Sequence, residues 1–250
     1  MKLDGKVCLI TGGSSGIGAA TAREFAFRGA DIAICSLRPN NVLAQEVKRE
    51  VESLNRSALT ITADVADPAA AEACVQRAVE AFGHVDLLVH CAGGAANGGL
   101  LDVDPCIWYK AFEIHVHAIF HLARAVVPHM VKRGGGAILL ISSAAGSRGC
   151  KGALAYGVVK GAIPQFTRAL ARELADSNIR VNCVSPGIIR TRFQDYLTAE
   201  QVKNNIENRI PLHREGRPED VAAALAALAE NDFITGAEIP VDGGMAMRMV

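Results

Sequence analysis

The sequence predicts an α/β fold: one domain with a seven-stranded, mostly parallel sheet and helices on both of its faces. Three observations lead there. Short β-branched or apolar runs recur along the chain, helix-length periodic segments separate them, and a glycine-rich turn directly follows the first run. Strands that alternate with helices pair in parallel through crossover connections, and such sheets bury both faces. At 250 residues, half of them apolar and 21% charged, the chain can build one large core. No composition shift or flexible linker divides it, so residues 1–250 are expected to form a single unit.

The runs Val7–Ile10, Ile32–Ser36, Leu59–Ala63, Leu87–His90, Ala137–Ile141, Arg180–Val184 and Glu238–Val241 are the expected strands. Segments 16–28, 40–54, 68–83, 105–133 and 153–176 carry helical periodicity. Asp67-Pro68 and Asp104-Pro105 each read as an N-cap followed by proline at the first helical position, where a missing N–H costs nothing. The alternation breaks between Pro186 and Pro218: Thr191–Arg217 is polar, charged and rich in Asn, with a short helix expected at 199–208. The stretch 190–217 reads as a substrate lid.

Charge and cysteine content narrow the function classes. The 26 basic and 26 acidic side chains cancel, so no overall field draws the protein to nucleic acid or an anionic membrane, and a small-molecule partner is favoured. Met1–Lys6 lead into an apolar run too short for a signal peptide, and no apolar stretch reaches membrane-spanning length; a cytoplasmic protein is expected. The seven cysteines (8, 35, 74, 91, 106, 150 and 183) are scattered without a Cys-x-x-Cys pair, as small buried apolar residues would be.

Between the first strand and first helix lies Thr11-Gly12-Gly13-Ser14-Ser15-Gly16-Ile17-Gly18. Glycines let a backbone turn tightly and approach a pyrophosphate, whose charge is met by N–H groups at the helix N-terminus. Glycine turns also join strands to helices for geometric reasons alone. Here the order strand, glycine turn, helix favours a dinucleotide, and the absence of a following Gly-Lys-Ser/Thr excludes a P-loop. An NAD site usually places an acid at the end of the second strand to bind the ribose hydroxyls. Cys35-Ser36-Leu37-Arg38 stands there instead: Ser36 can donate to the 2'-phosphate of NADP and Arg38 can neutralise it, so NADP is favoured over NAD. The alternative is a solvated Arg38 and a site that accepts either cofactor. Asp64 and Val65, after the third strand, can meet an adenine edge, or Asp64 can start a helix.

Beyond the fifth strand come Ser142 and Ser143, then Tyr156, then Lys160 one helical turn later. Residues at i and i+4 share a helix face. A phenol ordinarily holds its proton with a pKa of about 10, and a neighbouring ammonium stabilises the phenolate. A serine hydroxyl at the strand end can hydrogen-bond a substrate oxygen and the charge that develops on it. A Tyr-x3-Lys pair alone is a weak signal, common on helices by accident; it gains weight from the glycine turn.

Together Thr-Gly-x3-Gly-Ile-Gly, Ser143, Tyr156-x3-Lys160, Pro186-Gly187-x3-Thr191, Thr235-Gly236 and Asp242-Gly243-Gly244 resemble the short-chain dehydrogenase/reductase family over the whole chain. The resemblance implies a doubly wound Rossmann-type domain that moves hydride between a nicotinamide cofactor and a ketone or secondary alcohol. It implies that Gly12, Ser14, Ser15, Gly16, Ile17 and Gly18 line the pyrophosphate, Asp64 and Val65 the adenine, and Ala92 and Gly93 the adenosine ribose region. Pro186, Gly187, Ile189 and Thr191 fall to the nicotinamide side, and Ser143, Tyr156 and Lys160 to catalysis. It further implies a homodimer or homotetramer packed through segments 105–133 and 153–176, whose apolar stripe is otherwise internal.

Two positions depart from the family pattern. His90-Cys91-Ala92-Gly93 replaces Asn-Asn-Ala-Gly, and His115 stands where the family has an asparagine that helps hold a water leading from the lysine to solvent. His115 joins the catalytic set as a hydrogen-bonding group or proton carrier, or else leaves that relay weaker. His117 and His121 share a helical face, but His115 points elsewhere, so no metal is expected. Ala95, Arg148, Cys150, Ile188, Phe193 and Tyr196 are expected to border the substrate pocket, with Arg148 and Lys151 near its mouth. The leading function is an NAD(P)-dependent alcohol dehydrogenase or ketone reductase. Its rivals are a 3-oxoacyl-ACP or -CoA reductase, favoured by the basic mouth, and a non-catalytic dinucleotide-binding sensor.

Overall fold

The computed structural model describes residues 1–195 and 197–247. Its seven strands are β1 (Val7–Thr11), β2 (Asp31–Ser36), β3 (Ala58–Thr62), β4 (Leu87–His90), β5 (Gly136–Ile141), β6 (Ile179–Pro186) and β7 (Glu238–Val241). They lie in the order β3-β2-β1-β4-β5-β6-β7. Every pairing among them is parallel, where the sequence had predicted a mostly parallel sheet. Adjacent residues of one strand feed opposite faces, as the period of two demands. In β1, Cys8 and Ile10 enter one core cluster with Phe25 and Leu225, while Val7 and Leu9 enter the other with Val75 and Leu122.

The helices are α1 (Gly16–Phe27), α2 (Val42–Ser53), α3 (Pro68–Phe82), α4 (Pro105–Phe112), α5 (Ala118–Lys132), α6 (Ala144–Ser147), α7 (Leu154–Leu174), α8 (Ala199–Asn204) and α9 (Pro218–Glu230). Asp67 caps α3 by accepting from the Ala70 N–H, and Asp104 caps α4 by accepting from the Cys106 N–H, with Pro68 and Pro105 opening the respective helices. The single helix expected over 105–133 is instead two helices joined by a π-turn at Glu113–His117. Such turns are rare and concentrate at functional sites. Helix α9 was not among the expected elements; it packs along α1 and covers one face of the sheet.

Strand order reverses between β1 and β4, because the chain crosses to one side of β1 for β2 and β3 and to the other for β4. The loops that leave the C-terminal ends of β1 and β4 therefore diverge and open a crevice, the place where ligands bind in open parallel sheets. The excursion after β6 is zipped at its base: the Arg190 N–H donates to the Gly216 carbonyl at 2.8 Å, and Arg190 pairs with Glu215 at 2.5 Å.

Candidate active site

The crevice holds a cavity of about 760 Å³, within the range of cofactor sites. It runs from Ser36, Arg38, Asp64 and Val65 at one end to His115, Ser143, Tyr156 and Lys160 at the other. Gly12, Ser14, Ser15, Gly16, Ile17 and Gly18 line its middle, opposite Ala92 and Gly93, with Pro186, Gly187, Ile189 and Thr191 from the end of β6 and the segment after it. The structure thus brings all the sequence-predicted catalytic and cofactor residues to one cavity.

The glycine turn is a cradle that side chains would fill. A Cβ on Gly12, whose φ is +64°, would lie 2.8 Å from the Ala92 nitrogen, and one on Gly18 would lie 2.3 Å from the Gly12 carbonyl oxygen. The turn therefore folds onto itself and onto the loop after β4 only because these positions lack Cβ. Ser15 precedes α1 without a side-chain capping bond, so the first N–H groups of the helix face the cavity undischarged. Cradle and helix end together fit a dinucleotide pyrophosphate. At the end of the cavity after β2, Ser36 is buried and Arg38 exposed. Asp64 shapes its loop by accepting from the Ala66 N–H, while Asp67 is the residue that caps α3.

At the reacting end each side chain has a traceable support. Ser142 closes β5 and donates its hydroxyl to the Lys160 carbonyl at 2.8 Å, fixing the first turns of α7 against the sheet. Ser143 accepts from the Ala145 N–H at 3.1 Å, which leaves its own O–H to donate. Helix α6 then lies flush on α7, since a Cβ on Gly146 would stand 2.6 Å from the Lys160 carbonyl carbon. This contact sets Ser143 over the face that carries Tyr156 and Lys160. Lys160 is 6% exposed, and its ammonium donates to the Ile141 carbonyl at 2.8 Å and lies 5.7 Å from the centre of the Tyr156 ring. Burial lowers its pKa to about 8, with the nearby Cys91 thiol opposing.

The two histidines that depart from the family pattern form one support. Because a carbonyl only accepts, His90 Nε2 carries the proton and donates to the Ile114 carbonyl at 3.0 Å. Its Nδ1 then accepts from the Thr11 hydroxyl at 2.9 Å, and Thr11 accepts in turn from the Ala92 N–H at 3.3 Å. His90 thereby ties β1 and β4 to the π-turn that presents His115. The His115 ring is 2% exposed and stands edge-on to Tyr156 at 5.9 Å between centroids. It packs on Gly93 so closely that a Cβ there would lie 2.2 Å from its Cε1. His115 Nε2 faces both the Gly94 carbonyl at 3.0 Å and the Gly94 N–H at 3.4 Å; the shorter contact is to the carbonyl, which makes Nε2 the donor and Nδ1 an acceptor, buried and with no donor among the described residues. Burial, with Lys160 adding to it, pushes the His115 pKa down to about 2, and burial takes that of His90 to about 4; both rings are neutral at physiological pH.

The substrate wall read from the sequence needs correction. Of its five described residues only Phe193 lines the cavity, its ring 6.0 Å from that of Tyr156. Arg148 turns away to donate to the Ala246 carbonyl, Cys150 and Ala95 are exposed, and Ile188 is buried. Tyr196 lies outside the described residues. Arg192 and Gln194 line the cavity unanticipated, carried by the short turn Arg192–Gln194 whose position over Tyr156 no sequence period announces. His117 is exposed while His115 is buried, and no cluster of three metal-ligating side chains occurs among the described residues.

Comparison with known proteins gives this geometry its context. A family model described as Enoyl-(Acyl carrier protein) reductase matches residues 12–246. The chain is 35% identical over 249 residues to the 3-oxoacyl-(acyl-carrier-protein) reductase of Thermotoga maritima, covering 99% of this chain and 100% of that protein. Among solved structures, L-sorbose reductase from Gluconobacter frateurii complexed with NADPH and L-sorbose superposes with a TM-score of 0.92 at 32% identity, covering 100% of both chains. A 7α-hydroxysteroid dehydrogenase complexed with NADH and 7-oxo glycochenodeoxycholic acid reaches 0.93 at 32% identity, covering 100% of this chain and 97% of that one. With its parallel seven-stranded sheet and a match along nearly its whole length, the chain belongs to the short-chain dehydrogenase/reductase family of NAD(P)-dependent oxidoreductases.

Proposed function

We propose that this enzyme reduces a ketone, or oxidises the matching secondary alcohol, with Tyr156 as acid/base, and that it prefers NADP to NAD. The convergence of Ser143, Tyr156 and Lys160 at one end of a cavity whose middle is the glycine cradle carries this reading. Gly12, Ser14, Ser15, Gly16, Ile17 and Gly18 hold the pyrophosphate; Asp64 and Val65 the adenine; Ala92 and Gly93 the ribose beside it. Pro186, Gly187, Ile189 and Thr191 flank the nicotinamide. The bound nicotinamide supplies or accepts the hydride.

The chain's own residues manage the proton. Tyr156 donates its phenolic proton to the substrate oxygen during reduction and recovers it in oxidation. Lys160 stabilises the resulting phenolate, an effect enlarged by the dry surroundings that lower its own pKa. Ser143 donates its hydroxyl to the same substrate oxygen and offsets the charge that builds there. His115 serves as a neutral acceptor: its free Nδ1 takes a hydrogen bond from a hydroxyl or water on the way to Lys160. A ring with a pKa of about 2 does not itself carry the proton near neutrality. The segment 190–217 acts as the lid, closing on substrate from a base held by Arg190 and Glu215.

Ser36 and Arg38 support the NADP preference, since the adenosine end offers a hydroxyl and a cation. Arg38→Ala is expected to raise the KM for NADPH about tenfold while changing that for NADH less than about twofold. Equal changes, measured as kcat/KM for both cofactors over a carbonyl panel, would remove that role. Including acetoacetyl-CoA beside simple ketones in the panel separates general ketone reduction from the acyl-thioester activity that the Thermotoga relative's name suggests. Assembly as a homodimer or homotetramer is supported by apolar side chains left exposed on α4, α5 and α7: Ile107, Tyr109, Phe120, Val131 and Val158. The rest of that stripe is internal, where Trp108 and Phe112 meet Ala155 and Val159. A cytoplasmic location suits seven cysteines that are all free thiols.

A further inference from the structure

We propose that Arg192 receives an anionic group on the substrate, so that the enzyme favours carbonyl compounds bearing a carboxylate over neutral ones of the same skeleton. The inference rests on the reading of the catalytic end given above. Arg192 lines the same cavity as Ser143, Tyr156 and Lys160. Its turn lies over the catalytic phenol, for the next residue, Phe193, sets its ring 6.0 Å from that of Tyr156. Three other arginines of this segment are engaged, Arg190 with Glu215 at 2.5 Å, Arg209 with Asn205 at 2.8 Å and Arg214 with Asp220 at 2.8 Å, and Arg217 stands at the N-cap of α9, outside the lining. The Arg192 carbonyl accepts from the Asp195 N–H at 3.2 Å, but its guanidinium has no hydrogen-bond or ion-pair partner among the described residues.

The charge balance of the cavity points the same way. Among the described residues its lining contains Arg38, Lys160 and Arg192 against a single carboxylate, Asp64, which stands at the end away from Tyr156. Asp195, the acid nearest to Arg192 in sequence, is not part of the lining. Among the described residues the reacting end thus presents two cations and no acid, and Lys160 is already committed to the Ile141 carbonyl and the phenol. An unpaired guanidinium in such a place matches a carboxylate in a charge-assisted, two-pronged hydrogen bond. The cofactor's phosphates are the other anion within the cavity, and the test must tell the two apart.

Pyruvate, acetoacetate and 4-oxopentanoate are each compared with their methyl esters as substrates of the wild-type enzyme, Arg192→Gln and Arg192→Lys. At least one acid is expected to exceed its ester about tenfold or more in kcat/KM. Arg192→Gln should cut that ratio about tenfold through the KM for the acid, and Arg192→Lys should keep most of it. Calorimetric titration of the acids into NADPH-loaded Tyr156→Phe protein, with and without Arg192→Gln, reads the same contact without turnover and should show the same loss. Three results overturn the proposal: esters equal to or better than acids in all three pairs, a ratio that survives Arg192→Gln, or NADPH binding weakened in step with it. Ketone reduction without a preference for acids sinks the role of Arg192 alone. If no carbonyl oxidises the cofactor, the reading of the catalytic end fails, and the titration still decides whether Arg192 binds the acid.

Discussion

Tyr156→Phe is expected to lower kcat by about 10² to 10⁴-fold while leaving the dissociation constants of NADPH and NADH within about twofold. The substitution removes one oxygen and its transferable proton and nothing else. The phenylalanine ring keeps the edge contact with His115 and the packing against Phe193, both of which involve the ring rather than the hydroxyl. Lys160 keeps its bond to the Ile141 carbonyl, and Ser143 its place at the end of β5. The glycine cradle lies farther along the cavity and does not depend on the phenol. Fluorescence titration of the cofactors alongside steady-state turnover separates the two effects. Turnover that persists in the variant would show that the proton comes from elsewhere.

Arg180→Met is expected to destabilise the fold by about 3 kcal/mol, which for a domain of this size lowers Tm by about 6–12 °C. Arg180 is a buried cation on β6 without a hydrogen-bonded acid. Its guanidinium instead donates to the carbonyls of Leu228 at 2.7 Å, Ala229 at 2.6 Å and Ile234 at 3.1 Å. The first two are unsatisfied carbonyls of the last turn of α9, where the helix dipole also favours a cation. Methionine fills the space along the stem but leaves those carbonyls without donors, each costing about 1–3 kcal/mol before relaxation. Asn182 softens the loss by still donating to the Ile234 carbonyl at 2.8 Å. Thermal and urea unfolding read the change, and an unaltered midpoint would mean that water replaces the guanidinium freely.

The sheet was legible in the sequence because doubly buried strands must be apolar on both sides. All seven runs, from Val7–Ile10 to Glu238–Val241, fall on strands, with boundaries moved by a residue or two. The residues that converge on the cavity were legible because the proposed chemistry restricts them to few residue types in a set order. What stayed hidden depends on tertiary context. Periodicity across 105–133 continues through the π-turn, since one extra residue per turn barely disturbs a pattern of apolar positions. The tie between His90 and that turn is a bond between residues 24 apart in sequence, invisible until the fold brings them together. Arg180 reads as an ordinary end-of-strand charge, and its work at the end of α9 was concealed further because α9 itself was not expected. The substrate wall was read least well: Arg148 sits near the catalytic loop in sequence yet reaches the chain's last described turn.

The central claim, that this cavity transfers hydride between a nicotinamide and a carbonyl carbon under proton control by Tyr156, is tested most directly by isotope transfer. NADPH deuterated at the reactive C4 position is incubated with the enzyme and the carbonyl panel, and the alcohol products are read by mass spectrometry and NMR. The account predicts one deuterium on the carbinol carbon of at least one product, formed by the wild type and lost in Tyr156→Phe. Cofactor that binds but is never consumed, or an alcohol that carries no deuterium, would contradict it.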